Sequence, residues 1–322
     1  MAALRKPRAL PRGGTIGVAA PASAVDLELV EAAEKRWREA GFAVVRRDDL
    51  GARDRYLAGD DARRAAELRE LWADPRIDAI LCARGGYGCH RIIDRLDAAV
   101  ARAAAKPLVG YSDITTLLLW QVRCARLVGL HGPMFERGGD ISDDEFGAMI
   151  EMLTGTERLP VTRAGREGFG AAVEGPLVGG SLTLVAASLG TPWAIEARGA
   201  ILMLEDVGER PYRIDRLLQQ LRCAGVLDGV VGVGLGHFER CDEPAPSEGG
   251  QQARGERSEP TGAISSQQIL REWLDAAGVP WVSGLPFGHG TPNLVWPMGA
   301  RARLDGARAT LHILERGVAE SR

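Results

Sequence analysis

Short apolar runs alternate with helical patterns through the first half of this chain, and that alternation limits the fold more than any other feature. Helical spacing separates one apolar run from the next, and Asp26 and Asp61 stand where two of the helices begin. The runs typical of buried strands are residues 15–20, 42–45, 77–83 and 107–110, and further helical patterns cover residues 92–96 and 114–124. Parallel strands need crossover helices that cover the sheet. The pattern therefore predicts an α/β domain with helices on both faces of a parallel sheet.

The second half of the chain alternates less regularly and is separated from the first by an aperiodic stretch. Residues 154–171 gather Gly, Arg, Thr and Glu, so we interpret them as a linker between a domain over 1–153 and a domain over 172–322. The later pattern predicts strands at residues 200–205, 229–235, 279–283 and twice within 302–314, and helices at residues 211–223 and 264–277. Residues 242–262 are polar and rich in Pro and Gly, which predicts a surface loop.

Composition and charge narrow the class of protein. Hydrophobic residues make up 45% of the 322 residues and charged residues 26%, a mixture typical of a globular chain. The net charge of −3 is spread over interspersed acidic and basic residues, which argues against a nucleic-acid partner. No apolar run approaches the roughly 18 residues that a membrane span needs. The N-terminal residues also lack the apolar stretch of a secretory signal, so we expect a cytoplasmic protein without a membrane partner.

The cysteines and histidines form no metal-binding or disulfide pattern. The five cysteines include no C-x-x-C pair, and the chain has no H-E-x-x-H motif. These absences argue against a disulfide framework and a zinc site, so we expect reduced thiols, no metal and no cofactor. The cysteines are Cys82, Cys89, Cys124, Cys223 and Cys241.

Ser112 stands where a predicted strand turns into a predicted helix. The strand ends at Gly110, Ser112 follows two residues later, and an apolar helix begins directly afterwards. This is the layout of a nucleophile elbow, which exposes the hydroxyl and aims the first N–H groups of the helix at a developing negative charge. The match to G-x-S-x-G is partial because Ile114 occupies the last position. On this motif alone, an N-cap role for Ser112 or Asp113 is the simpler interpretation.

A glycine-rich turn, Arg84-Gly-Gly-Tyr-Gly, follows the strand predicted at residues 77–83. Glycines let backbone N–H groups approach a ligand closely, so the turn is a candidate for the second donor of an oxyanion hole. It has neither the G-x-G-x-x-G spacing nor a Lys-Ser/Thr ending, so it does not indicate a dinucleotide or P-loop site. A tight strand-to-helix turn without a ligand explains the same glycines equally well.

A serine nucleophile needs a histidine base and a third group that orients the base. His289 lies in a glycine- and proline-rich loop, so we expect it to be the most accessible of the five histidines, whereas His131 lies in a predicted turn. The others fall at the start of a helix, at the end of a strand and within the terminal strand pattern, namely His90, His237 and His312. Glu205 and Asp206 end an apolar strand and point to opposite sides, so only one of them can face a given site. Each of these residues is also explicable as an ordinary surface or strand-end residue.

Six motifs occur in the order seen in the LD-carboxypeptidase family of serine peptidases, which the chain resembles from about residue 17 to residue 304. They are Arg84-Gly-Gly-Tyr-Gly, Gly110-Tyr-Ser-Asp-Ile-Thr, His131-Gly-Pro, Gly179-Gly180 with Gly190-Thr-Pro, Leu204-Glu-Asp-Val-Gly-Glu-x-Pro-Tyr-x-Ile-Asp-Arg and Gly288-His289. The resemblance implies that Ser112 is the nucleophile, His289 the base and Glu205 the orienting carboxylate. It also implies that the N–H groups of Gly86 and Asp113 form the oxyanion hole.

The same resemblance implies an N-terminal flavodoxin-like domain and a smaller C-terminal α/β domain, with the active site between them. It implies hydrolysis of an amide between an L-residue and a C-terminal D-residue, typically release of D-alanine from cytoplasmic murein tetrapeptide in cell-wall recycling. A murein peptide is then the expected partner, and a homodimer the expected assembly. Family members often carry Asn where this chain has Ser181, which leaves the substrate preference open.

Two other functions stay open on the sequence. Some members of the same family cleave peptidyl or aminoacyl nucleotide antibiotics and confer self-immunity, and Trp193 is either a stacking surface for a base or a core residue. A doubly wound domain can also belong to a non-catalytic protein that binds a small ligand. The complete set of Ser112, Glu205 and His289 argues for the enzymes, because a binding module needs no such set.

Overall fold

Two β-sheets with packed helices form the fold of this chain. The computed structural model describes residues 4–243 and 264–320. Its strands are β1 (Thr15–Ala19), β2 (Ala43–Val45), β3 (Ala79–Cys82), β4 (Leu108–Gly110), β5 (Gly129–His131), β6 (Val161–Ala164), β7 (Glu167–Phe169), β8 (Ala172–Ser181), β9 (Ile201–Val207), β10 (Gly232–Glu239), β11 (Trp281–Ser283), β12 (Trp296–Met298), β13 (Arg301–Asp305) and β14 (Thr310–Ile313). Its α-helices are α1 (Leu27–Glu39), α2 (Asp61–Ala73), α3 (Ala98–Ala104), α4 (Thr115–Trp120), α5 (Asp143–Thr154), α6 (Leu182–Ala187), α7 (Pro211–Cys223) and α8 (Ser266–Ala277). None of the helices in these two described ranges has the length and apolar character that crossing a membrane requires.

The first sheet has six strands in the order β12-β5-β4-β3-β1-β2. Strands β1 to β5 are all parallel and follow the order 2-1-3-4-5 that is typical of flavodoxin-like domains, so the predicted α/β class is confirmed. Strand β12 joins antiparallel to β5, with Trp296 opposite His131 and Met298 opposite Gly129. Residues 296–298 therefore belong to the first sheet, although they follow most of the second sheet along the chain.

Helix α1 shows how local sequence directs the helices onto this sheet. The carboxylate of Asp26 accepts a hydrogen bond from the N–H of Glu28 and so caps the helix at its start. The helix then buries Val30, Ala33 and Trp37, which lie on one face at helical spacing. The cap sets where the helix begins, and the buried face sets which side packs on the core.

The second sheet has eight strands in the order β6-β14-β13-β8-β9-β10-β11-β7. Strands β8 to β11 are parallel, and the outer strands run antiparallel to their neighbours. Helix α6 packs on β8 and β9, and α7 contacts both α6 and α8. The second half of the chain is therefore also α/β, with an antiparallel rim around a parallel centre.

The segment predicted as a linker, residues 154–171, supplies two strands of this second sheet. Strand β6 pairs with β14 and β7 pairs with β11, so the two strands occupy its opposite edges. All three residues of β7 are exposed. An edge strand that buries no face needs no alternation of apolar and polar residues, which is why the pattern was not visible in the sequence. Residues 161–169 thus belong to the sheet and not to a linker.

The helix predicted over residues 92–96 differs from the structure, and so does one detail of the helix predicted over residues 114–124. In its place lie two short 3₁₀ turns, Cys89–Arg91 and Ile93–Arg95, because Asp97 already caps α3 two residues later. The helix predicted over residues 114–124 is divided into α4 and a π-helical turn, Gln121–Ala125. The polar loop predicted over residues 242–262 lies outside the described residues from residue 244 onward.

The two sheets meet at the carboxyl ends of β4 and β8. The N–H of Ser181, at the end of β8, donates a hydrogen bond of 3.2 Å to Oγ1 of Thr115, in the first turn of α4. Ser181 is paired in register with Glu205 of β9, so this contact brings Glu205 toward the turn that begins at Ser112. Ligands of open α/β sheets bind at the carboxyl ends of the strands, which makes this junction the expected position of a site.

Candidate active site

Ser112 lies just beyond β4 in a backbone conformation that side chains rarely adopt. Its φ is +60°, and it begins a 3₁₀ turn, Ser112–Ile114, that continues into α4. Residues held in such strained conformations cluster at functional sites, and a strained strand-to-helix turn is the mark of a nucleophile elbow. Neither Ser112 nor Asp113 caps the helix with its side chain, so the N-cap role considered for them is wrong. The backbone of the predicted elbow is present.

The glycine-rich turn packs directly against Ser112. A Cβ atom on Gly85 would lie 2.9 Å from Cβ and 3.1 Å from Oγ of Ser112, closer than such atoms normally approach. Gly86 has φ +98°, a conformation that disfavours any side chain. The two glycines therefore allow the turn to lie beside the serine hydroxyl.

Hydrogen bonds hold this turn from two sides. The N–H of Ser23 donates to the carbonyl of Gly85 at 3.1 Å, and the N–H of Tyr87 donates to Oγ of Ser23 at 3.2 Å. On the other side, Nη1 of the fully buried Arg64 donates to the carbonyl of Gly88 at 2.9 Å. Donors fixed in this way cost no reorganisation when charge develops beside them. The sequence did not indicate that Arg64 holds this turn, because an arginine on an amphipathic helix is usually exposed.

Asp113 connects the elbow to the end of the glycine-rich turn. Its carboxylate accepts a hydrogen bond of 2.8 Å from the N–H of Cys89. Burial raises the pKa of Asp113, and the hydrogen bond from Cys89 opposes that rise. The N–H of Asp113 belongs to the first turn of the helix, where N–H groups have no acceptor within the helix. Gly86 and Asp113, whose N–H groups are the predicted oxyanion hole, thus lie in two segments that are tied together.

His289 and Glu205 are joined directly: Nδ1 of His289 lies 2.7 Å from Oε2 of Glu205. The Glu205 side chain is fully buried and that of His289 is 16% exposed. Burial acts to raise the pKa of Glu205, but the imidazoles of His131 and His289 outweigh it and hold the pKa at about 2. The ionised carboxylate keeps a proton on Nδ1 of His289, which leaves Nε2 free to accept one.

The loop that carries His289 is fixed by a chain of hydrogen bonds. Oδ1 of Asn293 accepts a hydrogen bond of 3.0 Å from the N–H of Gly288, and the N–H of Asn293 donates to Oε1 of Glu145 at 2.7 Å. Glu145 belongs to the capping box that begins α5, so the loop is anchored to a helix terminus. The ring of Tyr111 packs edge-on against His289, with 4.8 Å between centroids. Since Tyr111 precedes Ser112, the elbow and the histidine loop are in contact.

His131 lies in β5, where it is fully buried, and not in the predicted turn. Its ring stacks on Trp296 with 4.9 Å between centroids and an interplanar angle of 22°. Nε2 of His131 lies 3.8 Å from Oε1 of Glu205. Within the described part of the chain, Oε1 of Glu205 and both ring nitrogens of His131 have no hydrogen-bond partner. The turn was predicted because the partner strand β12, which buries this position, comes much later in the sequence.

Asp206 points away from His289, to the start of α6. Its Oδ2 accepts hydrogen bonds of 2.8 Å from both the N–H and Oγ1 of Thr183, and its Oδ1 accepts one of 2.8 Å from the N–H of Val207. Burial, together with the charge of Glu205, raises the pKa of Asp206 to about 6. Of the two adjacent carboxylates, the structure brings Glu205 to the histidine.

The remaining candidates lie outside this arrangement. Three histidines hydrogen-bond to threonine hydroxyls or a backbone carbonyl: His90, His237 and His312. Ser181 caps α6, and the half-buried Trp193 lies near His90 with 6.0 Å between ring centroids. In the portions that the structure describes, no group of three or more His, Cys, Asp or Glu side chains is placed to hold a metal ion.

Comparison with known proteins identifies relatives of both halves of the chain. The sequence profile of the LD-carboxypeptidase N-terminal domain matches residues 16–132, and that of the C-terminal domain matches residues 174–304. The murein tetrapeptide carboxypeptidase of Pseudomonas aeruginosa is 35% identical, over 92% of this chain and 95% of that protein. The microcin C7 self-immunity protein of Escherichia coli is 26% identical, over 85% of each chain. The crystal structure of muramoyltetrapeptide carboxypeptidase from Oxalobacter formigenes has a TM-score of 0.80 and 29% identity, and the match covers 94% of this chain and 99% of that one. The family predicted from the six motifs is confirmed.

Proposed function

We propose that this chain, which belongs to the LD-carboxypeptidase family, is a serine carboxypeptidase that releases the terminal D-alanine of murein tetrapeptide. The bond hydrolysed is the amide between an L-configured centre and the D-alanine. The observation that carries the proposal is the 2.7 Å hydrogen bond between His289 and a fully buried Glu205. A protein that only binds a ligand gains nothing from burying a carboxylate to orient one imidazole, whereas a serine hydrolase requires it.

Acylation uses the free nitrogen of His289. Nε2 takes the proton of the Ser112 hydroxyl while Oγ attacks the carbonyl carbon of the L,D-amide, and the carbonyl oxygen becomes an oxyanion. The N–H groups of Gly86 and Asp113 stabilise that negative charge. The tetrahedral intermediate then expels the amine of D-alanine, which receives the proton from Nε2. The products of this half are free D-alanine and a peptidyl ester on Ser112.

Deacylation repeats the proton transfers with water. Nε2 of His289 removes a proton from a water molecule as its oxygen attacks the ester carbonyl, and the second oxyanion occupies the same two N–H groups. The Ser112 alkoxide leaves and takes the proton back from Nε2, which restores the enzyme and releases the shortened peptide acid. During both halves, the ionised Glu205 stabilises the imidazolium form of His289.

Product analysis tests this function directly. Incubation of the enzyme with murein tetrapeptide is expected to yield the tripeptide and one equivalent of D-alanine, resolved by chromatography with mass detection. The matched control is the same peptide with L-alanine at its end, which is expected to remain intact. Cleavage of both peptides at the same rate contradicts the L,D assignment.

Two alternatives appear as distinct results of the same assay. Hydrolysis of an aminoacyl sulfamoyl adenylate without hydrolysis of the tetrapeptide would indicate an immunity-type hydrolase. Saturable binding of the tetrapeptide without any product would indicate a non-catalytic binding protein. The Ser112→Ala variant separates true turnover from a contaminating peptidase, because it is expected to bind the peptide and release no D-alanine.

The proposal includes a cytoplasmic location and a homodimer. Murein tetrapeptide that is recovered for reuse is processed inside the cell, which fits an enzyme with reduced thiols. Light scattering on a size-exclusion column measures the mass in solution, and cell fractionation measures the location. A monomer, or recovery outside the cytoplasm, contradicts this part of the proposal without affecting the chemistry.

A further inference from the structure

A small cavity beside His289 contains a positively charged side chain that the proposed mechanism does not use. Its walls include Tyr111, Arg137, Glu145, His289 and Asn293. Among the described residues that line it, Arg137 is the only lysine or arginine. The same cavity is thus lined by His289, the base of the proposed reaction, and by the positively charged Arg137.

Arg137 is held at this position by its place in the chain. It lies in a 3₁₀ turn, Phe135–Gly139, that follows β5 and packs against α1. Carbonyl groups of the turn and of the residues after it accept hydrogen bonds from Arg36, which fixes the turn to that helix. The guanidinium therefore projects from an anchored segment and not from a free loop.

The side-chain donors of Arg137 are unused in the described structure. Its side chain is exposed, and within the described ranges it forms no ion pair or hydrogen bond. The acidic group across the cavity is already occupied, because Glu145 accepts hydrogen bonds from the N–H of Asn293 and from Ser142. A guanidinium with free donors at the wall of a cavity is suited to bind an anion, and its planar fork matches a carboxylate through two parallel hydrogen bonds.

We propose that Arg137 binds the terminal carboxylate of the departing residue, which restricts the enzyme to L,D-peptides that end in a free acid. This inference rests on the proposed function. In that reaction, Nε2 of His289 gives its proton to the amine of the departing residue. The α-carbon that bears this amine also bears the terminal carboxylate, so the carboxylate lies next to His289, where the cavity and Arg137 are. Arg137 acts here as a specificity-determining residue and takes no part in proton transfer.

The test compares two substrates that differ only at the terminal group. Wild-type enzyme and the Arg137→Gln variant are assayed on murein tetrapeptide with a free terminal acid and on the same peptide with a terminal carboxamide. The wild type is expected to favour the acid in kcat/KM by about 10- to 100-fold, since hydrogen bonds between charged groups are worth that much. Arg137→Gln is expected to lose this preference, because its kcat/KM falls for the acid and not for the carboxamide. Arg137→Lys is expected to retain part of the preference.

Arg84 provides a matched control, because it is a nearby exposed arginine that does not line the cavity. Arg84→Gln is expected to keep the ratio between acid and amide, whatever its effect on the absolute rate. A third peptide, in which the terminal acid is free and every other carboxyl group is amidated, tests the other source of a carboxylate. If Arg137→Gln keeps the preference for the free terminal acid, or if its loss follows another carboxyl group of the peptide, the inference is overturned.

Binding to an inactive enzyme separates this inference from the proposed function. Calorimetry on Ser112→Ala is expected to give tighter binding for the acid than for the amide, and Ser112→Ala/Arg137→Gln is expected to bind both alike. If wild type hydrolyses neither peptide but the difference in binding depends on Arg137, the proposed function fails and the carboxylate site stands. If turnover occurs and the difference does not depend on Arg137, the function stands and the carboxylate site fails. Absence of both turnover and binding overturns both.

Discussion

Nε2 of His131 lies 3.8 Å from Oε1 of Glu205, the oxygen that His289 does not use. Both side chains are fully buried, and neither of these two atoms has a hydrogen-bond partner among the described residues. Glu205 thus faces one imidazole with each oxygen. A proton on Nε2 of His131 stabilises the ionised carboxylate, which is the form that the proposed mechanism requires.

Replacement of His131 should raise the pKa of Glu205. In the wild type, two imidazoles oppose the rise that burial causes in the pKa of Glu205. In His131→Phe only one imidazole remains, so the pKa of Glu205 rises. A carboxylate loses its charge as the pH falls through its pKa, so a higher pKa places that loss at a higher pH. We therefore expect the titration of Glu205, followed by the 13C chemical shift of its carboxyl group, to move to higher pH by roughly one unit.

A second variant distinguishes this effect from a loss of packing. Phe keeps an aromatic ring against Trp296, whereas His131→Gln keeps an N–H donor without the ring. The Gln variant is expected to keep the titration of Glu205 close to that of the wild type. Titration at the same pH in all three proteins would mean that His131 only fills space.

A single methyl group at Gly85 should disturb the nucleophile without unfolding the protein. In Gly85→Ala, the new Cβ lies 2.9 Å from Cβ of Ser112, so the serine or the turn must shift. A displacement on the order of 1 Å at a reacting group costs about 100-fold in rate, so we expect kcat to fall by one to two orders of magnitude. Steady-state kinetics at saturating substrate measures the change.

Gly147 offers the matched control for this substitution. It lies inside α5, and a Cβ atom there meets nothing within 4 Å. Gly147→Ala should keep the wild-type kcat and raise the free energy of unfolding by about 0.5–1 kcal/mol, because Ala lowers the entropy of the unfolded chain. An active Gly85→Ala enzyme would show that the turn has room to move and does not fix Ser112.

Four of the six strands of the first sheet, β1 to β4, were predictable from the sequence because each lies in a short apolar run. All four residues of β3 are buried, and the run that predicted this strand is unmistakable. The same reasoning fails for β7, whose three residues are all exposed and carry no pattern. The spacing of apolar residues reflects burial, so it predicts β3 and misses β7. It also misses the buried strands β5 and β12, which have only three residues each.

The candidate site could be predicted from the sequence where its residues are close together in the chain, but not where it depends on distant partners. The turn that contains Ser112 is predicted by a few consecutive residues, and Glu205 lies within a short motif. The contact of His131 with Glu205 and that of Arg64 with Gly88 have no such signal, although His131 stands in one of the six motifs, because each contact joins residues far apart in the chain. A buried polar residue cannot be told from an exposed one until its partners are known.

Thiol reagents should leave the enzyme active although two cysteines flank the glycine-rich turn. Cys82 and Cys89 are fully buried, and burial raises the pKa of both thiols, so they stay protonated and unreactive. Cys223 is exposed and Cys124 half-buried. Iodoacetamide is therefore expected to label Cys223 first and Cys124 more slowly, with no change in kcat.

Peptide mapping by mass spectrometry measures which thiols react in the folded enzyme. A variant with both accessible cysteines replaced, Cys124→Ser/Cys223→Ser, should remain unlabelled and active under the same conditions. Label on Cys82 or Cys89 together with loss of activity would show that the turn opens more readily than its hydrogen bonds indicate.

Exchange of each adjacent carboxylate for its amide should separate their roles in catalysis. Glu205→Gln leaves the imidazole of His289 without an ionised partner, so kcat is expected to fall by roughly 10²–10⁴. Asp206→Asn keeps an oxygen that accepts the hydrogen bonds from Thr183, so its effect on kcat should be less than about tenfold. Both variants are compared at saturating substrate after circular dichroism confirms folding. A crippled Asp206→Asn beside a mild Glu205→Gln would reverse the assignment.

The raised pKa of Asp206 should instead affect how the stability of the protein depends on pH. Its pKa is raised from 3.8 to about 6 in the folded protein, so between these values the folded state binds the proton more readily than the unfolded state does. Stability of the wild type is therefore lost as the pH rises through this range, and Asp206→Asn has no such loss. We expect the Tm of the Asn variant, relative to the wild type, to increase by roughly 2–6 °C between about pH 4.5 and pH 7.5. Asp94→Asn, which alters an exposed carboxylate, should show a difference that stays flat over the same range. A relative Tm of Asp206→Asn that stays constant or falls with rising pH would mean that Asp206 is ionised in the folded protein at little cost.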